Sequence, residues 1–331
     1  MVTGLPRCAS PFVHGSLVTA LVASAAFPAH GQVYPSRALR IEVGYPAAST
    51  VDIVARAAAQ RLNEAWGQPV IVENKPGAAG NVAAELVAKS AADGYTLLCT
   101  NNGLVVSALS NRRRTYDPQT DLTPVAHVAS GPHVLIVAVA LPVGSVRQLI
   151  ALARARPGQL SHASVGVGSP SHLAAELFKN VTHVKLLHVP YKGSNQVLID
   201  VAAGDVAMSF SGIAPALPLI QRHKVKPLAV TGTARSSALP DVPTFGEAGI
   251  PDFEASFWYG LFAPARTPPE VVAHLNGEID RALKSPEIRR HFAMLGLEAS
   301  GGSASDFDRF FRSEIARWTR VAKENGITFD E

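Results

Sequence analysis

The chain has 331 residues and carries 30 lysines and arginines against 26 acids, a formal charge of +4. Its longest basic run is Arg112-Arg113-Arg114, with no aromatic-laced basic stripe beside it, which argues against a nucleic-acid surface and leaves that triplet as a solvated loop. Two cysteines without CxxC, HExxH or a His/Cys cluster leave no metal motif.

The first charged residue is Arg7 and the next is Arg37. Between them lies the apolar run SLVTALVASAAFPA, and Ala29-His30-Gly31 ends it with the small-x-small pattern of a signal-peptidase site. The run is well short of the ~20 residues a membrane-spanning helix needs. Cys8 precedes it, so it is no lipoprotein cysteine. Residues 1–31 therefore read as a signal peptide, and the mature protein starts at Gln32 in an oxidising compartment outside the cytoplasm. Its single cysteine, Cys99, closes the apolar strand YTLLC and is expected in the core, without a disulfide.

Short apolar strands then alternate with amphipathic helices, the pattern of parallel α/β architecture. LRIEVGY reads as a strand, TVDIVARAAAQRLNEAWG as a helix closed by Gly67, and PVIVEN as a strand. GNVAAELVAKSAADG reads as a helix ending at Gly94, and YTLLCT as a strand; a glycine after each helix suits a left-handed cap. A second series follows: QLSHASV, the helix SPSHLAAELFKNV, KLLHVPY, the helix SNQVLIDVAAG and VAMSF. Strand-ending loops fall at Ser49, Gly77 and Thr100 in the first series, and at Gly168, Gly193 and Ser211 in the second. The two halves share a plan without sharing a sequence. TPVAHVASGPHVLIVAVA reads as the passage from the first domain to the second and PDFEASFWYGLFAPA as the return. The amphipathic C-terminal helices are expected to pack back on the first domain. The expected domains are 32–130 plus 254–331, and 131–253.

Parallel α/β sheets bind ligands outside the carboxyl ends of their strands, where helix N-termini present unpaired N–H groups. Two such rows facing each other favour an anion. The turn VENKPGAAGN has the glycines of a phosphate loop. It lacks the Walker lysine and does not fit G-x-G-x-x-G, so a nucleotide is not expected.

The segments YPSRALRIEV, GQPVIVENKPGAAGN, ADGYTLL, YDPQTDLTPVAHV, GSPSHLAAELF, HVPYKGS, LPDVPTFGEAGIPDFEA and WYGLFAPA together resemble the Bug-type periplasmic solute-binding proteins, receptors of tripartite tricarboxylate transporters. The resemblance covers essentially the whole mature chain. It implies a two-lobed Venus flytrap fold, each lobe a mainly parallel sheet flanked by helices, closing on a small carboxylate-bearing solute. It also implies a periplasmic monomer that delivers the solute to membrane permease subunits, with no cofactor and no catalysis. Two departures stand out. The family carries a proline, two glycines, two residues and an aspartate after the first strand. Here the chain reads Pro46-Ala47-Ala48-Ser49-Thr50-Val51-Asp52, with Ala48 and Ser49 at the glycine places, which narrows the backbone freedom there. Ser211 stands where many relatives have an aspartate, which disfavours an amino-acid ligand.

Within that frame the ligand-facing candidates group by loop. Tyr45, Ala48, Ser49 and Thr50 form the first, where Thr50 also serves as a plain N-cap with Asp52 in the first turn. Gly77 and Asn81 bound the glycine turn, which reads equally as cleft wall or as tight turn. Thr100 and Asn101, with Asn102, cap the third strand. Gly166, Gly168, Ser169, Ser171 and His172 make the second domain's anion loop, with Pro170 suited to the first helical turn. A serine hydrolase using Ser169 or Ser171 with His172 fails, because no G-x-S-x-G elbow exists and chain neighbours rarely align for proton transfer. Tyr191 and Gly193 are weighted above Lys192, whose side chain belongs in solvent. Trp258 and Tyr259, on the return crossing, read as hinge or core. A sensor with the same cleft and a signalling partner is the alternative to a transport receptor.

Overall fold

A computed structural model of the protein describes residues 34–109, 115–251 and 253–325. The signal-peptide reading and the Arg112-Arg113-Arg114 loop fall outside these residues. In chain order the elements begin with β1 (Leu39–Val43), α1 (Thr50–Trp66), β2 (Val70–Asn74), α2 (Asn81–Ala88), β3 (Thr96–Asn101), α3 (Gly103–Leu109), β4 (Leu122–Gly131) and β5 (His133–Ala138). They continue with α4 (Val146–Ala155), β6 (Ser161–Ser164), α5 (Pro170–Thr182), β7 (Leu187–Pro190), α6 (Ser194–Ala203), β8 (Met208–Gly212), α7 (Ile213–Gln221) and β9 (Val225–Val230). β10 (Phe257–Pro264), α8 (Pro269–Leu283), α9 (Pro286–Met294), β11 (Glu298–Ala299) and α10 (Ala304–Asn325) complete the chain.

The strands form two sheets, ordered β11-β4-β10-β3-β1-β2 and β7-β6-β8-β5-β9. Both are mixed, not mainly parallel. The βαβ units supply the parallel pairs, β1 with β2 and β3, and β6 with β7 and β8. The strands that pass between the sheets enter antiparallel: β10 beside β3 and β4, and β5 beside β8 and β9. β4 is followed by β5 across Pro132 alone.

Helix placement follows apolar periodicity. α1 buries Val51, Val54, Ala55, Ala58, Ala59 and Leu62, one stripe at helical spacing. Gly67 closes it in the left-handed conformation (φ 62°), its N–H on Asn63 O at 2.8 Å, and Gly204 closes α6 the same way. α2 departs from expectation: it ends at Ala88, well before Gly94. Gly94 is left-handed (φ 80°), and a Cβ there would also collide with Val271 and crowd the Tyr34 hydroxyl. α5 ends on His183, left-handed at φ 54°, without a glycine.

One apolar core runs through both sheets, joining Leu98 and Val105 to Leu135, Phe178, Phe210 and Trp258. α8 packs on β4 and α1, and α10 on β4 and α3. α10 contributes Phe307, Phe311, Ile315 and Trp318, all buried. Phe307 lies 5.1 Å from Phe262 and 5.8 Å from Trp258 between ring centroids, directly over Gly260, where any Cβ would collide with its ring. Cys99 is fully buried, as its strand position suggested.

Replacing Phe307 with alanine removes the ring that fills this space. The expected loss is about 3–5 kcal/mol of unfolding free energy, read from urea denaturation. A loss below about 1 kcal/mol would mean that the site collapses around the cavity.

Candidate ligand-binding site

The first strand-to-helix loop is organised by side chains that satisfy its own amides. Ser49, not Thr50, is the N-cap of α1: Thr50 is already the first helical residue, and the Ser49 Oγ accepts the Asp52 N–H at 3.3 Å. The Ser49 N–H donates back to Pro46 O at 3.2 Å. Ala48 is left-handed (φ 63°) and gives its N–H to Asp52 Oδ2 at 2.9 Å. Asp52, buried, also accepts from Arg56 Nε (3.0 Å) and Asn74 Nδ2 (2.9 Å), and Asn74 Nδ2 donates to Tyr45 O as well. Burial alone would raise the Asp52 carboxyl; hydrogen bonds from Arg56, Asn74 and the Ala48 amide outweigh it and hold the group below its ordinary range.

The loop between β6 and α5 repeats this construction. Ser169 caps α5 with φ and ψ of −69° and 160°, against −68° and 159° at Ser49. Its Oγ accepts the His172 N–H at 3.3 Å, and its N–H donates to Gly166 O at 3.2 Å. Gly168 is left-handed (φ 77°) and gives its N–H to His172 Nδ1 at 3.1 Å, four residues on, as Ala48 does to Asp52. Val165 N–H goes to Ser171 Oγ (3.1 Å) and Gly166 N–H to Ser164 Oγ (3.2 Å). The likeness of the two halves therefore extends to single hydrogen bonds.

The glycine-rich stretch does not aim its amides outward as a row, because most are committed within the loop. What stays open is set by helix geometry, since the first turn of a helix has N–H groups without intrahelical acceptors. At the head of α1 these belong to Thr50 and Val51. At the head of α5 the group is Ser171 N–H, because Pro170 has none. Around the first head the Tyr45 hydroxyl lies 2.7 Å from Asn101 Oδ1 and 2.9 Å from Ala79 O, and Asn101 Oδ1 also accepts the Gly103 N–H. Burial raises the Tyr259 phenol, and the Thr50 side chain beside it lowers it in part. The two heads are tied through α3: it starts at Gly103, and one turn later Val106 packs against Gly168, where a Cβ would come within 2.7 Å of Val106 Cγ1.

The other candidates have partners of their own or are set by local backbone. Asn81 Oδ1 accepts the Tyr116 hydroxyl at 2.7 Å, so its side chain ties α2 to the segment after α3. The Tyr191 hydroxyl donates to Asp200 Oδ2 at 2.6 Å, and burial followed by that carboxylate pushes the phenol up to about 12. Its proton is thus committed to the helix that follows it, α6. Gly193 is exposed in extended backbone with open space where a Cβ would stand, so no close approach demands glycine there. Ser211 is buried and donates to Gly212 O at 3.2 Å. Thr100 is buried in β3 opposite Gly260. Gly77 (φ 153°) opens its turn against Val82, whose side chain a Cβ at Gly77 would meet at 2.8 Å. Sequence reading passed over Asn74, Val106 and Tyr259 as site residues. Their partners lie far along the chain, and nothing local signals the contact.

Beneath the second loop three histidines stack: His188 lies 4.3 Å from His172 and 4.7 Å from His162, ring centroid to centroid. Burial first, then His188 and Lys179, push His172 down to about 3. Burial with His188, His172 and Lys179 pushes His162 down to about 2. His133 is held down at about 4 by burial, against its bond to Ala255 O. Two hollows lie elsewhere. One of about 420 Å³ is lined by Asn276, Asp280, Lys284 and Arg289, and one of about 680 Å³ lies between α1 and α9 beside Arg56, Arg61 and Arg290. Neither contains a residue of the two serine-capped loops.

Residues 54–327 match the family described as the tripartite tricarboxylate transporter family receptor. BugT of Bordetella pertussis is 36% identical over 306 residues, covering 92% of this chain and 94% of its own. A solved structure described as R. palustris Rpa4515 with adipate superposes with a TM-score of 0.83 at 40% identity, covering 89% of this chain and 99% of that one. MatC from Rhodopseudomonas palustris, with bound malate, superposes at 0.79 with 30% identity, covering 87% and 99%.

Two outcomes test the loop chemistry. Ala48→Gly keeps every hydrogen bond and removes the Cβ from a left-handed residue, so stability should rise by up to about 1 kcal/mol; a fall would show that the Cβ makes a contact of its own. His133, His162 and His172 are neutral when folded and bind protons near the ordinary 6.5 when unfolded. Stability should therefore be full above that value and fall as pH drops toward 4, by up to about 1.4 kcal/mol per pH unit for each histidine. Urea midpoints at pH 7 and pH 5 check this, and equal midpoints would contradict it.

Proposed function

Because the chain belongs to the tripartite tricarboxylate transporter family of receptors, we propose that it captures a small carboxylate-bearing solute between two lobes and delivers it to the membrane permease of such a transporter. The lobes are residues 32–130 plus 254–331, and 131–253, each centred on one sheet. The protein acts as a monomer in the periplasm after residues 1–31 are removed. The observation that carries the reading is the matched pair of serine-capped helix heads, α1 and α5, each with its loop amides satisfied internally and its first-turn N–H groups open. A carboxylate suits such donors, which combine hydrogen bonding with the positive end of the helix dipole.

Magnitudes support one carboxylate at the heads and a second polar end beyond. Hydrogen bonds to a charged group contribute roughly 1.5–3 kcal/mol each. Three such bonds fall near the ~8 kcal/mol of micromolar affinity before association and closure costs are taken off. Adipate and malate, found with the two similar structures, are dicarboxylates, and a second acid group would meet a further donor such as Asn101 Nδ2. Ligand bound to both lobes favours their closed arrangement, because only there do both heads reach it.

Titration calorimetry of the mature protein with adipate and malate, followed by small-angle scattering at saturation, tests the reading. The expected result is binding of at least one acid, compaction on binding and no product. Turnover of the acid, or no binding across a wider screen of small organic acids, would count against capture and delivery.

A further inference from the structure

Asp52 and His172 occupy the same place in the two loops, four residues after a left-handed residue and three after the capping serine. Asp52 accepts through a carboxylate oxygen and His172 through a ring nitrogen. We infer that His172 is a positioning residue of the second loop: its unprotonated Nδ1 holds the Gly168 amide, as Asp52 holds the Ala48 amide, and so fixes how the head of α5 presents its open N–H group. The assignment rests on the carboxylate-capture reading, and it gives His172 a role behind the loop in place of direct ligand contact.

The surroundings select the tautomer this requires. An Nδ1 that accepts a hydrogen bond leaves the ring proton on Nε2. That nitrogen lies 3.6 Å from Glu176 Oε1, too far for a hydrogen bond yet beside the charge that favours a proton there. Glu176 is itself held by Lys179 at 2.7 Å. The His172 ring is 6% exposed as a residue and lies nearly parallel to His188, at 20°. His188 secures the other end of the loop: its Nε2 is 2.7 Å from Ser164 Oγ, which donates to Gly166 O. Gly168, pinned by this bond, is also the residue that rides on Val106 of α3. Freeing the Gly168 amide therefore loosens the contact that ties the two helix heads together.

The test compares wild type, His172→Leu and His172→Asn by calorimetry with adipate and malate. A long-range proton–nitrogen spectrum of the wild-type histidines accompanies it. Leucine keeps the bulk and removes the acceptor; asparagine places Oδ1 two bonds from Cβ, as histidine places Nδ1. Expected is an affinity about tenfold weaker for the leucine variant, recovery to within about threefold for asparagine, and an Nε2–H tautomer for His172. A folded leucine variant that binds like wild type, an asparagine variant no better than leucine, or an Nδ1–H tautomer overturns the assignment. If the leucine variant does not fold, the asparagine affinity and the tautomer decide. If wild type binds neither these acids nor any other in a wider screen of small organic acids, the proposed function fails, while the tautomer still decides whether His172 holds Gly168.

Discussion

Everything at the site depends on where main-chain N–H groups find their acceptors. A backbone donor taken out of water needs a partner, and both loops meet that need with the same three devices. The left-handed residue donates to the side chain four positions on. The capping serine donates to the carbonyl three positions back. The third residue of the helix donates to the serine hydroxyl. Once these are made, the open donors lie at the helix heads, where the chain cannot satisfy them locally. A ligand that completes them must be an acceptor, and the helix dipole favours one with negative charge.

Three glycines between β1 and α3 serve packing around Tyr45. Gly44 lies against the backbone of Gly80, Gly80 lies under the Tyr45 ring, and a Cβ on Gly103 would come within 2.7 Å of the Tyr45 hydroxyl and 2.9 Å of Ala79 O. The turn of Gly77 to Gly80 bends through four positive φ angles, two of them at Ala78 (45°) and Ala79 (53°). Left-handed alanine costs roughly 1 kcal/mol or more. The turn places Ala79 O where the Tyr45 hydroxyl can use it. A loop that looks shaped for phosphate thus offers the protein a carbonyl acceptor, which explains why neither a Walker lysine nor a dinucleotide fingerprint accompanies it.

Much of the architecture was legible in the sequence for identifiable reasons. α1 and α6 announce themselves by an apolar stripe and a closing glycine, and α5 by Ser169-Pro170 at its start. The loops that carry the capping serines were readable as strand-to-helix turns, and so was the passage from β4 to β5. α3, α4 and α7 were not anticipated. α3 has only seven residues and begins on a glycine, and α7 carries Pro218 in its interior. The mixed sheets escaped because periodicity does not report strand direction. Side-chain direction escaped for the same kind of reason: Tyr191 meets Asp200 nine residues on, Asn81 meets Tyr116, and Thr50 meets Tyr259, pairings that only the folded chain defines. The carry-over of Ala48 into a glycine place was readable as a departure. That it keeps the glycine-like φ required the structure.

The account stands or falls on what occupies the two helix heads. An electron-density map of the mature protein crystallised with adipate is the most direct measurement. The account places a carboxylate about 3 Å from the amides of Thr50 or Val51 on one side, with Ser171 N–H engaged on the other. An acid seated instead in the hollow between α1 and α9, or touching neither helix head, would contradict it.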